Sequence, residues 1–332
     1  MANNKNISLH DIKAPLESEM GAYESFLREA LHSDSRYFDD ILKYIFDTRG
    51  KGVRPTLVML FAGVHNNGRS FGKRIHLAAA LIELIHTASL VHDDVIDRAE
   101  LRHGKSSINQ KWGKRNAILT GDFILSRIFE MGMESLEFDI LTYVSHAIKW
   151  LCEGEVIQDE QTKTLGMTHE KYYDIIDKKT ASLLGVSASA GALAVGATRD
   201  KVTTMRRFGE SLGMAFQIQD DILDYTPSAA TGKPVGNDLR EGKITLPLLM
   251  LLEKRDEAER KVLLERLKRC ATDEKEVEAL QQEVIDGGGL REAQALMQGY
   301  IAQAVRMLSE YDDSPYRSSL VHLCTFVAER NN

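Results

Sequence analysis

The 332-residue sequence has little proline and cysteine, and it lacks any long apolar run. Its 6 prolines favour long uninterrupted helices over a strand-rich fold with many turns. Its 3 cysteines are far apart without metal-site spacing, so we expect them to be reduced thiols of a cytoplasmic protein. No run of about 18 apolar residues occurs, and the N-terminal residues have no apolar core of the kind that a signal peptide needs. We therefore expect no transmembrane segment.

A basic surface is also missing, because 49 acidic residues outnumber 42 basic ones and give a net charge of -7. General nucleic-acid binders need a basic face, so this class of protein is excluded. Apolar residues make up 43% of the chain, which is enough for a sizeable core. The length allows one large domain or two ordinary ones.

Apolar residues recur at helical spacing along most of the chain, and alternating strand patterns are scarce. Two segments, 77–92 and 208–223, are apolar around nearly their whole circumference, which is typical of helices that are buried on all sides. Residues 256–284 are rich in Lys, Glu and Arg with leucines at helical spacing, and they predict peripheral amphipathic helices.

The predicted helices are separated by loops and not by a linker. Breaks are expected at 66–70 and at the three glycines 287–289, and a long polar loop is expected at 227–242. Because no low-complexity tract or composition change divides the chain, we predict one all-α domain over residues 1–332.

Two acidic motifs of the form Asp-Asp-x-x-Asp follow the two most apolar segments. The first consists of Asp93, Asp94 and Asp97, and the second of Asp220, Asp221 and Asp224. Residues four apart share a helix face, so each motif would hold like charges side by side, which is unfavourable without a cation. Magnesium prefers such carboxylate oxygens together with substrate phosphates. One motif alone would suggest a solvated turn, but two motifs after buried helices predict a metal and diphosphate site.

Basic residues near these motifs are candidates for binding the diphosphate. Lys51 and Arg54 precede Pro55, which fits the first turn of a helix, so both would lie near the positive end of its dipole. The other candidates are Arg102, Lys179, Lys233 and Lys243. For a single lysine the simpler interpretation is an exposed charge, whereas Arg102 follows the first motif by only five residues.

The ordered motifs resemble those of the trans-isoprenyl diphosphate synthases. They are GKGVRP, ELIHTASLVHDDVID, LRHG, GD, KT, FQIQDDILDY and GKPVGNDLREGK, and they run from about residue 50 to about residue 247. The resemblance implies an all-α bundle around a deep central apolar cavity, a cytoplasmic homodimer with membrane contact only for product release, and magnesium, with three ions per site. It also implies that isopentenyl diphosphate and an allylic diphosphate are the substrates.

The resemblance also implies a role for each candidate residue. The first motif, Asp93, Asp94 and Asp97, would hold magnesium together with the allylic diphosphate. The second motif, Asp220, Asp221 and Asp224, would hold the third magnesium ion. Isopentenyl diphosphate would be bound by Lys51, Arg54, His86 and the residue at position 103. The allylic diphosphate would be bound by Arg102, Lys179 and Lys243, with Lys233 in a loop that closes over it, and Thr180 and Gln217 beside the developing cation. Spacing alone would make His86 a core histidine.

The chain departs from the family pattern at one position. Where the family usually has Arg-Arg-Gly, this sequence has Arg102-His103-Gly104. A histidine binds a diphosphate as a cation only when it is protonated, whereas arginine is always charged. We therefore expect the contact of His103 with isopentenyl diphosphate to depend on pH.

The length of the product follows from the residues that precede Asp93 on its helix. Ala88 and Ser89, then Ile85 or His86, and then Ile82 lie about one, two and three turns before it. Bulky aromatic residues at such positions stop the chain early in the short-chain members of the family. The small Ala88 and Ser89 would let it pass, and Ile82 or a later helix with Phe129 and Met133 would form the floor.

The sequence therefore predicts a magnesium-dependent prenyltransferase that extends farnesyl diphosphate or a similar primer. The product would be of roughly seven to ten isoprene units, the range of quinone side-chain precursors. One alternative is a shorter-chain farnesyl or geranylgeranyl diphosphate synthase. A class I terpene cyclase would normally lack the second Asp-Asp-x-x-Asp motif, and a non-catalytic subunit of a heteromeric synthase usually loses one or both motifs.

Overall fold

The computed structural model describes residues 7–66, 69–226 and 235–330, and most of these residues are helical. The N-terminal half contains α1 (Leu9–Lys13), a 3-10 turn (Ala14–Leu16), α2 (Glu17–Ala30), α3 (Arg36–Thr48), α4 (Val53–His65), α5 (Lys73–Ile96), the strands β1 (Leu101–Arg102) and β2 (Lys105–Ser106), α6 (Ile108–Trp112), α7 (Lys114–Glu134) and α8 (Phe138–Thr164).

The remaining elements complete the bundle. They are α9 (His169–Ile176), a π-helix (Asp177–Ala181), α10 (Ser182–Ala194), α11 (Arg199–Leu223), α12 (Asn237–Arg240), α13 (Leu246–Glu253), α14 (Glu257–Arg269), α15 (Glu274–Asp286), α16 (Gly289–Met307), a 3-10 turn (Leu308–Glu310) and α17 (Pro315–Glu329). The prediction of an all-α fold is confirmed, with one small addition, the antiparallel hairpin of β1 and β2.

The centre of the bundle is formed by α4, α5, α10 and α11. Helix α10 is almost completely buried and packs on α4, α5 and α11, while α5 also packs on α7 and α11 also packs on α16. Small residues allow this close approach. A Cβ atom on Gly209 would lie 2.6 Å from the carbonyl carbon of Leu184, so only glycine lets α11 lie directly on the backbone of α10.

Helix α5 is the buried helix predicted at 77–92, and α11 contains the one predicted at 208–223. By length and composition α5 is the single helix of the described ranges that could cross a membrane. In this fold 72% of its most apolar window is buried, mainly against its neighbouring helices, as in the core helix of a bundle.

The predicted breaks agree with the structure where it describes them. Helix α15 ends at Asp286 and α16 begins at Gly289, with Gly288 at a φ of 78° that favours glycine. The polar loop predicted at 227–242 is wrong in part, because the short helix α12 lies within it. Helices α14 and α15 expose charged faces at the periphery, as predicted.

Candidate active site

The first aspartate motif lies at the C-terminal end of α5. Burial and, after it, the nearby carboxylate of Glu155 raise the pKa of Asp93 to about 6. Burial and Glu155 also raise the pKa of Asp97, while Lys243 lowers it. Within the described residues, no hydrogen bond or ion pair reaches either carboxylate. Both side chains therefore keep their oxygen atoms available for a cation.

Asp94 has a different role, because it orients Arg102. Its Oδ1 atom accepts hydrogen bonds from Nε of Arg102 at 2.9 Å and from Nη2 at 2.5 Å. The hairpin of β1 and β2 makes this possible, since it turns at His103 and Gly104 with φ values of 51° and 76°. The turn brings Arg102 back over the end of α5.

In the second motif, Asp221 is buried and accepts several hydrogen bonds. Its Oδ2 atom accepts from the hydroxyl of Tyr172 at 2.6 Å and from the backbone N–H of Leu246 at 3.3 Å. Its Oδ1 atom accepts from the amide of Gln217 at 3.2 Å, and Gln217 in turn accepts from the hydroxyl of Thr180 at 2.8 Å. Burial raises the pKa of Asp221, and these donors oppose that shift.

The other two aspartates of this motif have structural partners. Asp224 accepts from the backbone N–H groups of Asn237 at 3.0 Å and of Asp238 at 2.9 Å, so it holds the start of α12 in place. Asp220 forms an ion pair with Arg330, which lies just after α17 and is mostly buried. The two ends of the site are thus tied to distant parts of the chain.

Lys179 is positioned by the π-helix between α9 and α10. Its Nζ atom donates to Oε1 of Gln158 at 2.8 Å and lies 2.5 Å from Oε2 of Glu155, both on α8. Lys243 pairs with Glu241 at 2.5 Å and also faces Asp97 and Asp238.

Three cavities lie near the aspartate motifs, and the smallest of the three, of about 50 Å³, is lined by His86, Asp94, Arg102 and His103, among others. Two larger cavities are each lined by cationic residues. The first, called the Lys179 cavity, has a volume of about 200 Å³ and is lined by Gln158, Lys179, Gln217, Asp221, Asp238 and Lys243, among others. The second, the Arg54 cavity, has about 450 Å³ and is lined by Lys51, Arg54, Glu83, His86, His103 and Arg330, among others. The structure thus groups Lys179 with Lys243 and Lys51 with Arg54, while Arg102 shares the smallest cavity with His86 and His103, which also line the Arg54 cavity. Lys233 lies outside the described residues.

The Arg54 cavity is lined by several basic residues and by the buried carboxylate of Glu83. Burial lowers the pKa of Arg54 to about 10, and its Nε atom is buried without a hydrogen-bond partner among the described residues. Burial and the charge of Arg54 lower the pKa of His86 far below its usual value, so this ring is neutral and can only hydrogen-bond to an anion. Glu83 is buried beside them, and burial raises its pKa while Arg54 lowers it.

Several residues of the site were missed by the sequence analysis. Lys13 of α1 donates to the backbone carbonyl of Lys51 at 2.7 Å, and thereby fixes the loop before α4. Four further residues reach the site by contacts with residues that are far from them in the sequence, namely Tyr172, Asp238, Arg330 and Glu83. The buried charge of Glu83 within an apolar helix was the one local signal that could have shown its importance.

The residues expected to control chain length lie in two environments. Ile82, Ile85 and Ala88 are buried in α5, and the hydroxyl of Ser89 donates to the carbonyl of His86 at 2.9 Å. The prediction that Phe129 and Met133 lie in the interior is wrong for this chain, because they are 46% and 55% exposed. Helix α7 buries Ile124 and Ile128 instead, on its opposite face. The deep apolar cavity itself stays a prediction.

A divalent cation fits the donor set at the first motif. In the part of the chain that the structure describes, no three His, Cys, Asp or Glu side chains form a metal cluster. Magnesium, however, commonly uses one or two carboxylates and completes its shell with water and phosphate oxygens. The oxygen atoms of Asp93 and Asp97, which no described residue neutralises directly, match that requirement.

Comparisons with known proteins agree with this fold and show the family. The polyprenyl synthetase family model matches residues 35–284. The chain is 33% identical over 321 residues to an all-trans-nonaprenyl-diphosphate synthase (geranyl-diphosphate specific) of Rhodobacter capsulatus, covering 96% of this chain and 97% of that one. It is 35% identical over 297 residues to a short chain isoprenyl diphosphate synthase of Methanothermobacter thermautotrophicus, covering 87% and 89%.

A solved structure gives the same result. The polyprenyl synthase of Caulobacter crescentus complexed with calcium and isoprenyl diphosphate superposes with a TM-score of 0.88 at 30% identity, and the match covers 99% of this chain and 100% of that one. The fold and these relatives define an all-α prenyltransferase. The chain belongs to the polyprenyl synthetase family.

Proposed function

We propose that this protein is a magnesium-dependent synthase of a long-chain all-trans polyprenyl diphosphate. The observation that carries the proposal is that Asp93 and Asp97, which have no direct neutralising partner among the described residues, lie near Lys179 of the Lys179 cavity, while the Arg54 cavity provides a second cationic group. Two cavities suit two diphosphates, one for the allylic primer and one for isopentenyl diphosphate. The nonaprenyl synthase relative supports a long product, whereas the short-chain relative supports the alternative.

In this proposal each cavity binds one substrate. Lys179, Lys243 and the nearby Arg102 bind the allylic diphosphate, and Lys51, Arg54 and the neutral His86 bind isopentenyl diphosphate, with His103 at its edge. Asp93 and Asp97, with Asp94 beside them and with Asp220, Asp221 and Asp224 opposite, hold three magnesium ions. The ions, when bound, would offset the charge that grows on the leaving diphosphate.

The side chains then direct the reaction. Lys179 and Arg102 stabilise the diphosphate as its bond to the allylic carbon breaks. Lys51 and Arg54 hold isopentenyl diphosphate so that its double bond meets the cation, and this proximity supplies much of the rate. Gln217 lines the Lys179 cavity and accepts a hydrogen bond from the hydroxyl of Thr180, so the oxygen atoms of both residues would lie near the cation. The proton that is lost passes to the released diphosphate.

A homodimer is the assembly that we propose. Ile118, Leu119, Phe129 and Met133 make an exposed apolar face on α7, and faces of this kind mark interfaces. Phe129→Glu is expected to reduce the mass measured by light scattering to that of a monomer. Val262→Glu alters an exposed residue of α14 and serves as the control, which stays dimeric. A dimeric Phe129→Glu protein would contradict this interface.

The reaction is tested with purified protein, farnesyl diphosphate, labelled isopentenyl diphosphate and magnesium. We expect labelled prenyl diphosphates, and their loss when EDTA removes the metal. A hydrocarbon formed from the allylic diphosphate alone would indicate a terpene cyclase instead. Incorporation that needs a second, different protein would indicate a subunit of a heteromeric synthase. Either result would contradict the proposal.

A further inference from the structure

Lys179 is paired with protein groups at the place where an anionic substrate is expected. Its ammonium lies 2.5 Å from the carboxylate of Glu155 and donates to Gln158 at 2.8 Å. Glu155 is about one quarter exposed and lies one turn before Gln158 on α8, so the two residues share a helix face. Lys179 and Gln158 both line the Lys179 cavity.

This pairing is enforced by the packing of α8 against the π-helix. A Cβ atom on Gly154 would lie 2.7 Å from Cγ of Lys179 and 2.9 Å from Cβ of Lys178. Glycine at this position therefore lets the stem of Lys179 lie directly on α8. The residue that follows, Glu155, then meets the end of that stem.

Glu155 also faces the first aspartate motif. Burial is the largest cause of the raised pKa of Asp93, and the charge of Glu155 is the second largest. The charge of Glu155 also raises the pKa of Asp97. The charge of Lys179 acts in the opposite direction on both aspartates. Asp93, Asp97 and Glu155 thus all sense the charge of Lys179, although only Glu155 pairs with it directly. Moving the ammonium away from Glu155 would leave these three carboxylates with less opposing charge.

We propose that Glu155 is a positioning residue that makes diphosphate binding depend on the divalent cation. At rest it is the counter-ion of Lys179. The allylic diphosphate takes over Lys179, and Glu155 is then left facing Asp93 and Asp97. A cation bound there removes the resulting repulsion, so anion and cation bind more tightly together than apart. The inference rests on the proposed function, because it takes the Lys179 cavity as the allylic site.

The test is calorimetric titration of inorganic pyrophosphate into the full-length protein, with and without magnesium. In Glu155→Gln, where Lys179 loses its counter-ion, we expect pyrophosphate to bind about fivefold tighter without magnesium. The enhancement of binding by magnesium is expected to fall by a similar factor. In a Lys179→Ala background, Glu155→Gln is expected to change metal-free binding by less than about twofold, because no ammonium remains to be released.

The matched control is Glu153→Gln, which removes the same charge from the same helix but from a residue that pairs with Lys149 and Lys178. It is expected to leave both titrations unchanged. Equal metal-free affinities of the wild type and Glu155→Gln would overturn the inference, as would an equal effect in the Lys179→Ala background. Failure of the wild type to bind pyrophosphate even with magnesium would overturn the proposed function, and this inference with it.

Discussion

At the scale of single residues, the six motif aspartates differ in what they contact. Asp93 and Asp97 accept no hydrogen bond from the residues that the structure describes, whereas Asp94 orients Arg102 through two hydrogen bonds. Asp221 and Asp224 are each held by two or more donors, so they fix the walls of the site. The repeated sequence motif therefore does not imply six equivalent metal ligands.

Removing a metal-binding carboxylate should abolish catalysis and leave the fold intact. Asp93→Ala and Asp220→Ala are each expected to lower turnover by orders of magnitude, because the charge of the leaving diphosphate is no longer offset. The helical circular dichroism signal is expected to stay nearly unchanged. Near-normal turnover in either variant would show that the metal centre lies elsewhere.

His103 should make the binding of isopentenyl diphosphate depend on pH. A histidine carries positive charge only in its protonated form, so we expect the KM for isopentenyl diphosphate to be lower at acidic pH than at alkaline pH. His103→Arg keeps the charge at every pH tested and is expected to flatten this profile. The KM for the allylic diphosphate is the internal reference. An unchanged profile in His103→Arg would remove His103 from the site.

At the scale of elements, α5 leads from the first aspartate motif into the interior. The helix has 24 residues and carries Ala88 and Ile85 between the core and Asp93. The hairpin and the π-helix then bring Arg102 and Lys179 toward its C-terminal end. These short irregular elements, placed between long regular helices, give the site its shape.

A large side chain on α5 should shorten the product. Ala88 is buried about 7.5 Å along the helix from Asp93, one and a half turns away. Ala88→Tyr is expected to stop elongation at three or four isoprene units, as read by chromatography of the dephosphorylated products. Thermal unfolding checks that the variant is folded. A full-length product from a folded Ala88→Tyr protein would show that the chain grows along another route.

We expect a methyl group added where α10 contacts α11 to destabilise the fold. Gly209→Ala would place Cβ 2.6 Å from a backbone carbon of α10, and we expect it to lower the free energy of unfolding by about 1–3 kcal/mol. Gly299→Ala on α16 has no heavy atom within 4 Å of the new Cβ. It is expected to raise the free energy of unfolding by about 0.5–1 kcal/mol. Denaturant titrations of both variants measure the difference, and equal stabilities would contradict the packing argument.

The sequence predicted the helices and motif residues because both depend on local spacing. Apolar periodicity located α5 and α11, and the aspartate motifs located their C-terminal ends. The contacts of Tyr172 with Asp221 and of Lys13 with the loop before α4 join residues far apart in sequence, so no spacing rule reveals them. Phe129 and Met133 were misplaced for a related reason, because bulk alone does not show which face of α7 is buried.

At the scale of the whole molecule, the helical bundle carries two cationic cavities, one lined by Asp221 of the second motif and the other by Arg330, which pairs with Asp220. The core helices α4, α5, α10 and α11 hold these cavities in fixed positions, and the N-terminal and C-terminal segments reach them through Lys13 and Arg330. The family match and the superposition with a polyprenyl synthase agree with the all-α fold. The property that is specific to this chain is the number of isoprene units in its product.

The most direct test of the proposed long-chain synthase function is the length of the product made by the wild-type protein. Farnesyl diphosphate, labelled isopentenyl diphosphate and magnesium are incubated with it, and the products are separated by reversed-phase chromatography. We expect a main product of roughly seven to ten isoprene units, because the small Ala88 and Ser89 leave the path along α5 open. A main product of three or four units would contradict this proposal and identify the protein as a short-chain synthase.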